Sequence, residues 1–200
     1  MPSSMILSQK ELRQAVTDGE IQFDPPLEEE QWGEASVDLR LGFTVTRLKP
    51  AEGATFSVAK GLSTIAASGF WDTKELEGED EFGHQESILL KPNDFVLWLT
   101  HEIIKVPMNL IAMVQGRSTY ARVGLSMHQT APWIQPGWSG PILLEIYNQS
   151  PITINLTPIL DKPCQLTFFQ LTSEITPEMT SRSYHGQEHP IVHPKKGSKK

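Results

Sequence analysis

The sequence predicts a mainly β fold, an antiparallel barrel or jelly-roll sandwich with a short N-terminal helix and few other helices. Two observations carry this expectation. Fifteen prolines and 14 glycines punctuate the 200 residues too often for long helices. From residue 87 onward, short apolar or alternating runs recur at Ser87–Lys91, Phe95–Thr100, Ile111–Val114, Pro141–Tyr147, Ile152–Leu156 and Cys164–Leu171, each bounded by Pro, Asn, Gly or Asp. At this length one core buries roughly 70% of the surface that the unfolded chain exposes, so residues 1–200 are expected to form a single domain.

At the N-terminus Ser8 reads as an N-cap, and Glu11 three residues later completes a capping box. Leu12, Ala15 and Val16 then give an apolar stripe until Gly19, which predicts a helix over about 8–18. Pro25, Pro26 and the acidic run Glu28, Glu29, Glu30 break regular structure. In the stretch from Ala35 to Gly42, Val37, Leu39 and Leu41 alternate with Ser36, Asp38 and Arg40, which predicts one half-buried strand. Pro50 to Glu86 mixes Gly, Ser, Ala and acids and reads as weakly structured hairpins or a long loop. The end, about 190–200, reads as a flexible basic tail carrying Lys195, Lys196, Lys199 and Lys200.

Charge and composition exclude several classes. A net charge of -7 and a pI near 5.4 argue against nucleic-acid binding, which draws on clustered Lys and Arg. One cysteine, Cys164, rules out an intramolecular disulfide framework. Pro, Asn, Gln or a charge interrupts every apolar run short of the roughly 18 residues of a membrane span, and the start lacks a signal-peptide core. A soluble, cytoplasmic protein without membrane contact is expected.

Gly116 to Asn148 holds the candidate chemistry. In Gly116-Arg-Ser-Thr-Tyr-Ala-Arg122 the glycine permits a tight turn, and in a helical conformation Ser118 and Arg122 share a face. A guanidinium fork there suits phosphate oxygens, although such a pair also occurs as an ordinary solvated surface. On the run Ile142 to Asn148, Ile142, Leu144 and Ile146 share one face, and Glu145 lies between Leu143 and Tyr147 on the other. Desolvation makes an enclosed carboxyl hold its proton more readily, the property of a group that moves protons at neutral pH. The same pattern fits a solvent-facing charge that guards a strand edge. Between these segments, His128 to Trp138 has the Pro, Gly and Trp content of a rigid wall, either a pocket lining or a packed turn. A zinc pattern of H-x-E and P-C-x-x-C is only half present, because Thr167 stands where the second cysteine belongs. His185, His189 and His193 are spaced by four, but Gly186 and Pro190 prevent a helix that would align them.

Taken in order, these segments resemble the dCTP deaminase branch of the dUTPase-like superfamily. Met5 to Leu12 is similar to its N-terminal helix, and Ala35-Ser-Val-Asp-Leu-Arg-Leu-Gly42 to its first strand motif. Leu90-Lys-Pro-Asn-Asp-Phe-Val-Leu97, the GRSTYAR segment, His128-Gln-Thr-Ala131 and Pro136 to Asn148 follow in family order. The resemblance implies a distorted jelly-roll subunit of the dUTPase-like type, a homotrimer with active sites at subunit interfaces, and deamination of dCTP to dUTP without zinc. Glu145 is implied as catalytic acid/base, with Ser118, Arg122 and the Ala131 carbonyl ordering water. Arg117, Ser118, Thr119 and Arg122 are implied to contact the phosphates, Leu143 and Leu144 the base through backbone groups, and Gln187 to belong to a segment that folds over the nucleotide. No protein-bound cofactor or metal is implied; Mg²⁺ would travel on the triphosphate, and dTTP is a possible inhibitor.

Three departures qualify that reading. Gln135 stands where many relatives carry an acid; its amide can bond a sugar hydroxyl but cannot accept a proton from water, which argues against a further step from dUTP to dUMP. Ser183 replaces a frequent Lys, and His189 replaces a usual Gly. The alternatives are therefore a bifunctional deaminase and diphosphatase that forms dUMP, or a regulator that binds deoxynucleotides without turnover.

Overall fold

A computed structural model describes residues 6–49, 53, 55–57, 59, 69–81 and 83–176. The described residues form helix α1 (Gln9–Thr17), the short helix α2 (Ser118–Arg122), a 3₁₀ turn (Glu29–Gln31) and twelve antiparallel strands. The strands are β1 (Gln22–Asp24), β2 (Val37–Leu39), β3 (Leu41–Leu48), β4 (Trp71–Glu75), β5 (Ile88–Leu90) and β6 (Phe95–Lys105). They continue with β7 (Leu110–Gly116), β8 (Leu125–Ser126), β9 (Trp133–Ile134), β10 (Ser139–Asn148), β11 (Ile154–Leu156) and β12 (Cys164–Gln170). The mainly β expectation holds, with a correction to its barrel alternative. Among the described residues three sheets stay open: β4-β3-β6-β10-β8 with β1 added to β6, β2-β12-β7-β9, and the pair β11-β5.

The N-terminal helix forms for the anticipated reason. The Ser8 backbone N–H and hydroxyl both donate to the Glu11 carboxylate, at 2.9 and 3.1 Å. Leu12 and Ala15 are buried, and Gly19 at φ 75° ends the helix in a conformation that favours glycine. No helix among the described residues is long and apolar enough to cross a membrane.

The single strand expected over Ala35–Gly42 is two strands in different sheets. β2 pairs with β12, β3 pairs with β6 and β4, and the chain changes sheets at Arg40. The Arg40 backbone N–H does not join a ladder; it donates to Glu102 Oε2 at 2.9 Å, while Arg40 Nε donates to Glu102 Oε1 at 2.7 Å. Gln31 Nε2 donates to the same Oε1 at 2.9 Å and to the Asp38 carbonyl at 2.8 Å. Arg40, Glu102 and Gln31 are all buried, so this corner is a buried polar knot, which Arg40 Nη1 extends to the exposed side chain of Glu28 at 2.7 Å. Two residues on, Gly42 lets β3 approach β6: a Cβ there would lie 2.9 Å from the Thr100 carbonyl oxygen.

β6 also runs five residues past the expected Thr100. His101 and Glu102 look like strand-ending polar residues, but the Arg40 partnership lets Glu102 be buried on the sheet. Within Pro50–Glu86 the structure has β4, an edge strand whose exposed Asp72 and Lys74 are the charges that protect an edge. The core joins both larger sheets through Leu39, Leu41, Trp98, Ile142, Leu144 and Phe168.

Candidate functional site

The strand expected to carry the acid is β10, and its pattern is as read: Ile142, Leu144 and Ile146 are buried in the core, and Leu143, Glu145 and Tyr147 are half-buried on the opposite face. Glu145 pairs with Leu97 on β6, and Leu97 pairs in turn with Thr46 on β3. Thr46, Leu97 and Glu145 thus form one row on the face of the sheet opposite Trp98 and Leu144; Thr46 and Leu97 are buried, and the half-buried carboxylate stands at the end of the row. The Glu145 backbone N–H donates to the Met127 carbonyl at 3.1 Å. Its carboxylate Oε2 accepts the Gln129 backbone N–H at 2.7 Å. Among the described residues Oε1 accepts no hydrogen bond.

The segment holding Glu145 is under local strain. Thr130 sits at φ 88°, a region that β-branched residues avoid. Its N–H donates to His128 Nδ1 at 3.3 Å, and His128 Nε2 lies 3.2 Å from Gln115 Oε1, an arrangement that places the ring proton on Nε2. His128 is therefore a bracing residue of this turn. Ala131 follows, exposed, and Pro132 through its carbonyl accepts the Val114 N–H at 2.8 Å, tying the turn to β7.

The wall beyond is a packed turn as well as a surface. β9 pairs with β7, and Trp133 meets Phe169 edge-on at 5.8 Å. Pro136 and Gly137, at φ 75°, occupy the centre of a turn closed by the Trp138 N–H donating to the Gln135 carbonyl at 3.2 Å. Gln135 itself is exposed.

α2 confirms the helical reading of the GRSTYAR segment, so Ser118 and Arg122 do stand one turn apart. Ser118, Thr119 and Arg122 are exposed, and among the described residues their side chains make no hydrogen bond or ion pair. Arg117 caps the helix with its carbonyl, while its Nε contacts Asp38 Oδ2 at 3.0 Å and its Nη1 donates to the Lys162 carbonyl at 3.0 Å. Gly116 needs correction: it is the last residue of β7 and has no positive φ. Its value is closeness, because a Cβ would lie 3.3 Å from Met127 Cγ. The tight turn lies at the other end, where Gly124 at φ 86° stops α2 and a Cβ would sit 2.8 Å from Ser150 Cβ.

Within one chain, then, the structure joins Glu145 to the His128–Ala131 turn, and α2 reaches the same end of β10 through β8, which pairs Ser126 with Tyr147. No hydrogen bond among the described residues links Glu145 to Ser118 or Arg122. Leu144 has its side chain in the core, so only its backbone can face a ligand, whereas Leu143 shares the face of Glu145. Gln187, Ser183, His189 and the 190–200 tail lie outside the described residues. Sequence reading missed Glu102 and Gln31, and also Tyr120, whose hydroxyl donates to Asp161 Oδ1 at 2.8 Å. Cys164 is fully buried, and burial pushes its thiol far above the ordinary range.

Comparison with known proteins agrees with this architecture. A dCTP deaminase of Rhodospirillum rubrum is 32% identical over 84% of this chain and 84% of its own. The dUMP-forming dCTP deaminase of Methanobrevibacter smithii is 34% identical over 97% of this chain and 89% of its own. The crystal structure of the 2'-deoxycytidine 5'-triphosphate deaminase from Agrobacterium tumefaciens superposes with a TM-score of 0.61 at 21% identity, over 84% of this chain and 49% of that one, a likeness of fold. A family model described as dCTP deaminase-like matches residues 6–171, the span that contains both α2 and the Glu145 strand, and the chain therefore belongs to the dCTP deaminase-like family.

Proposed function

We propose that the protein hydrolyses dCTP to dUTP and ammonia, with Glu145 as general acid and base. The observation that carries this is the setting of Glu145 in a chain of this family: one carboxylate oxygen is pinned by the Gln129 N–H, and the other has no partner among the described residues. Glu145 takes a proton from water and the hydroxide bonds to C4 of the cytosine. The carboxyl then protonates N3, takes the proton of the new C4 hydroxyl and delivers it to the amino group. As the C4–N4 bond breaks, ammonia leaves and the C4 carbonyl of dUTP forms. Ser118, Arg122 and the Ala131 carbonyl order the water, Arg117, Ser118, Thr119 and Arg122 take the triphosphate with its Mg²⁺, and Gln135 bonds the sugar. The backbone of Leu143 and Leu144 meets the base, and Gln187 closes over the nucleotide. Fixed dipoles of this kind offset much of the cost of separating charge in the transition state.

The exposure of Ser118, Thr119, Arg122, Ala131 and Gln135 leaves room for further copies of the chain to complete the site, and we propose the homotrimer that the family resemblance implies. A chromatographic panel of deoxynucleotides with Mg²⁺ tests the reading: dCTP should yield dUTP and ammonia. Intact dCTP in every condition rejects it. dTTP added to the same panel tests inhibition.

A second reading, deamination followed by hydrolysis to dUMP, is favoured by the dUMP-forming name of the Methanobrevibacter smithii relative. Gln135 opposes it, because an amide cannot serve as a base. Product identity decides: pyrophosphate and dUMP in the panel establish the second reading.

A further inference from the structure

The α2 segment divides its side chains between two directions. Ser118, Thr119 and Arg122 are exposed, whereas Arg117 and Tyr120, three apart, turn back onto the protein. The Arg117 backbone N–H donates to the Pro163 carbonyl at 2.9 Å, its Nη1 to the Lys162 carbonyl at 3.0 Å, and its Nε faces Asp38 Oδ2 at 3.0 Å. The Tyr120 hydroxyl donates to Asp161 Oδ1 at 2.8 Å and accepts the Lys162 N–H at 3.2 Å. Asp161 is itself fastened: Oδ2 accepts the Thr157 N–H at 2.7 Å, and its carbonyl accepts the Leu41 N–H of β3 at 3.0 Å.

A helix of five residues does not hold its own orientation, because nucleation costs more than one turn of hydrogen bonds returns. Its direction must come from tertiary ties, and those ties run through Arg117 and Tyr120 to residues 161–163. Resting on the triphosphate deaminase reading, we propose that Tyr120 is a positioning residue, acting with the inward ties of Arg117: together they lock α2 on the 161–163 segment so that Ser118 and Arg122 present their donors to water and phosphate. The Asp38–Arg117 pair is consistent with a geometric role. Burial raises the Asp38 carboxyl above its ordinary value although Arg117 and Lys162 act to lower it, so the pair adds little as a source of stability.

Two variants test the proposal in the full-length protein, assayed well below melting. Tyr120→Phe keeps the ring and removes the hydroxyl; kcat/KM for dCTP should fall about tenfold, since small misplacements of reacting groups are costly. In a background lacking both side chains, Ser118→Ala with Arg122→Ala, the same change should cost less than about twofold in residual kcat/KM or in dCTP affinity, because the groups it positions are gone. Wild-type kcat/KM in Tyr120→Phe, or an undiminished effect in the Ser118→Ala, Arg122→Ala background, overturns the proposal. If the wild-type protein leaves dCTP intact, the deaminase reading fails separately, and the variants are compared by calorimetric dCTP binding, where unchanged affinity in Tyr120→Phe overturns the positioning role.

Discussion

Glu102 and Glu145 sit on adjacent strands of one sheet, each an acid in an apolar run, and the structure treats them oppositely. Glu102 on β6 is fully buried, and both its oxygens are taken by Arg40 and Gln31 at 2.7–2.9 Å. Glu145 on β10 is half-buried, with one oxygen on the Gln129 N–H. A carboxylate whose acceptor sites are all filled holds the fold, and a half-buried one with an oxygen left unfilled among the described residues can exchange protons. Saturation of partners separates the two roles, since burial among apolar neighbours is common to both.

The comparison breaks most visibly through Glu145→Gln, which retains shape and loses the proton. Deaminase turnover should drop by about 10³-fold or more, with the melting temperature shifted by no more than about 2 °C, as read by ammonia release and calorimetry. The opposite profile is expected at the corner. Arg40→Ala leaves the buried Glu102 charge without its guanidinium, with only the Gln31 amide and the residue-40 backbone N–H remaining, and should cost about 3–5 kcal/mol in denaturant unfolding, whereas Arg40→Met with Glu102→Leu should recover much of that loss. If Arg40→Ala were as stable as wild type, the corner would not be the structural acid described.

Smaller effects sharpen the picture. Gln135→Asp should introduce or increase dUMP formation while deamination changes by only a few fold, measured by product chromatography. The pH dependence of folding offers the finest probe. A carboxyl whose folded value is raised contributes stability that is fully present below its unfolded value and lost as pH rises through the folded value, which applies to Asp38. Asp38→Asn should therefore flatten the fall of stability with rising pH across that acidic window while lowering kcat/KM through Arg117.

Much of this was legible in the chain because periodicity reports faces directly. The alternation Ile142, Leu144, Ile146 against Leu143, Glu145, Tyr147 specified both faces of β10, and Ser8 with Glu11 specified the helix start. Legibility failed where a long-range partner changes what a residue can tolerate. Glu102 reads as the end of a strand until Arg40, 62 residues away, neutralises it. The Ala35–Gly42 run reads as one strand because alternation cannot reveal that a backbone N–H is diverted to a side chain. β8 and β9 have two residues each, too short to carry a period, and β4 is exposed along most of its length, which removes the apolar signal.

The sequence by itself determined the β class, the N-terminal helix, the placement of Glu145 on an outer face and, through ordered motifs, the family resemblance. These follow from local spacing and from residue types in order. Only the tertiary structure decided which acid is saturated and which is open, where the chain changes sheets, and that Arg117 and Tyr120 turn inward while Ser118 and Arg122 turn outward. Those outcomes depend on hydrogen-bond partners far apart in the chain, and spacing along a sequence carries no information about which distant group will arrive to fill a donor or an acceptor.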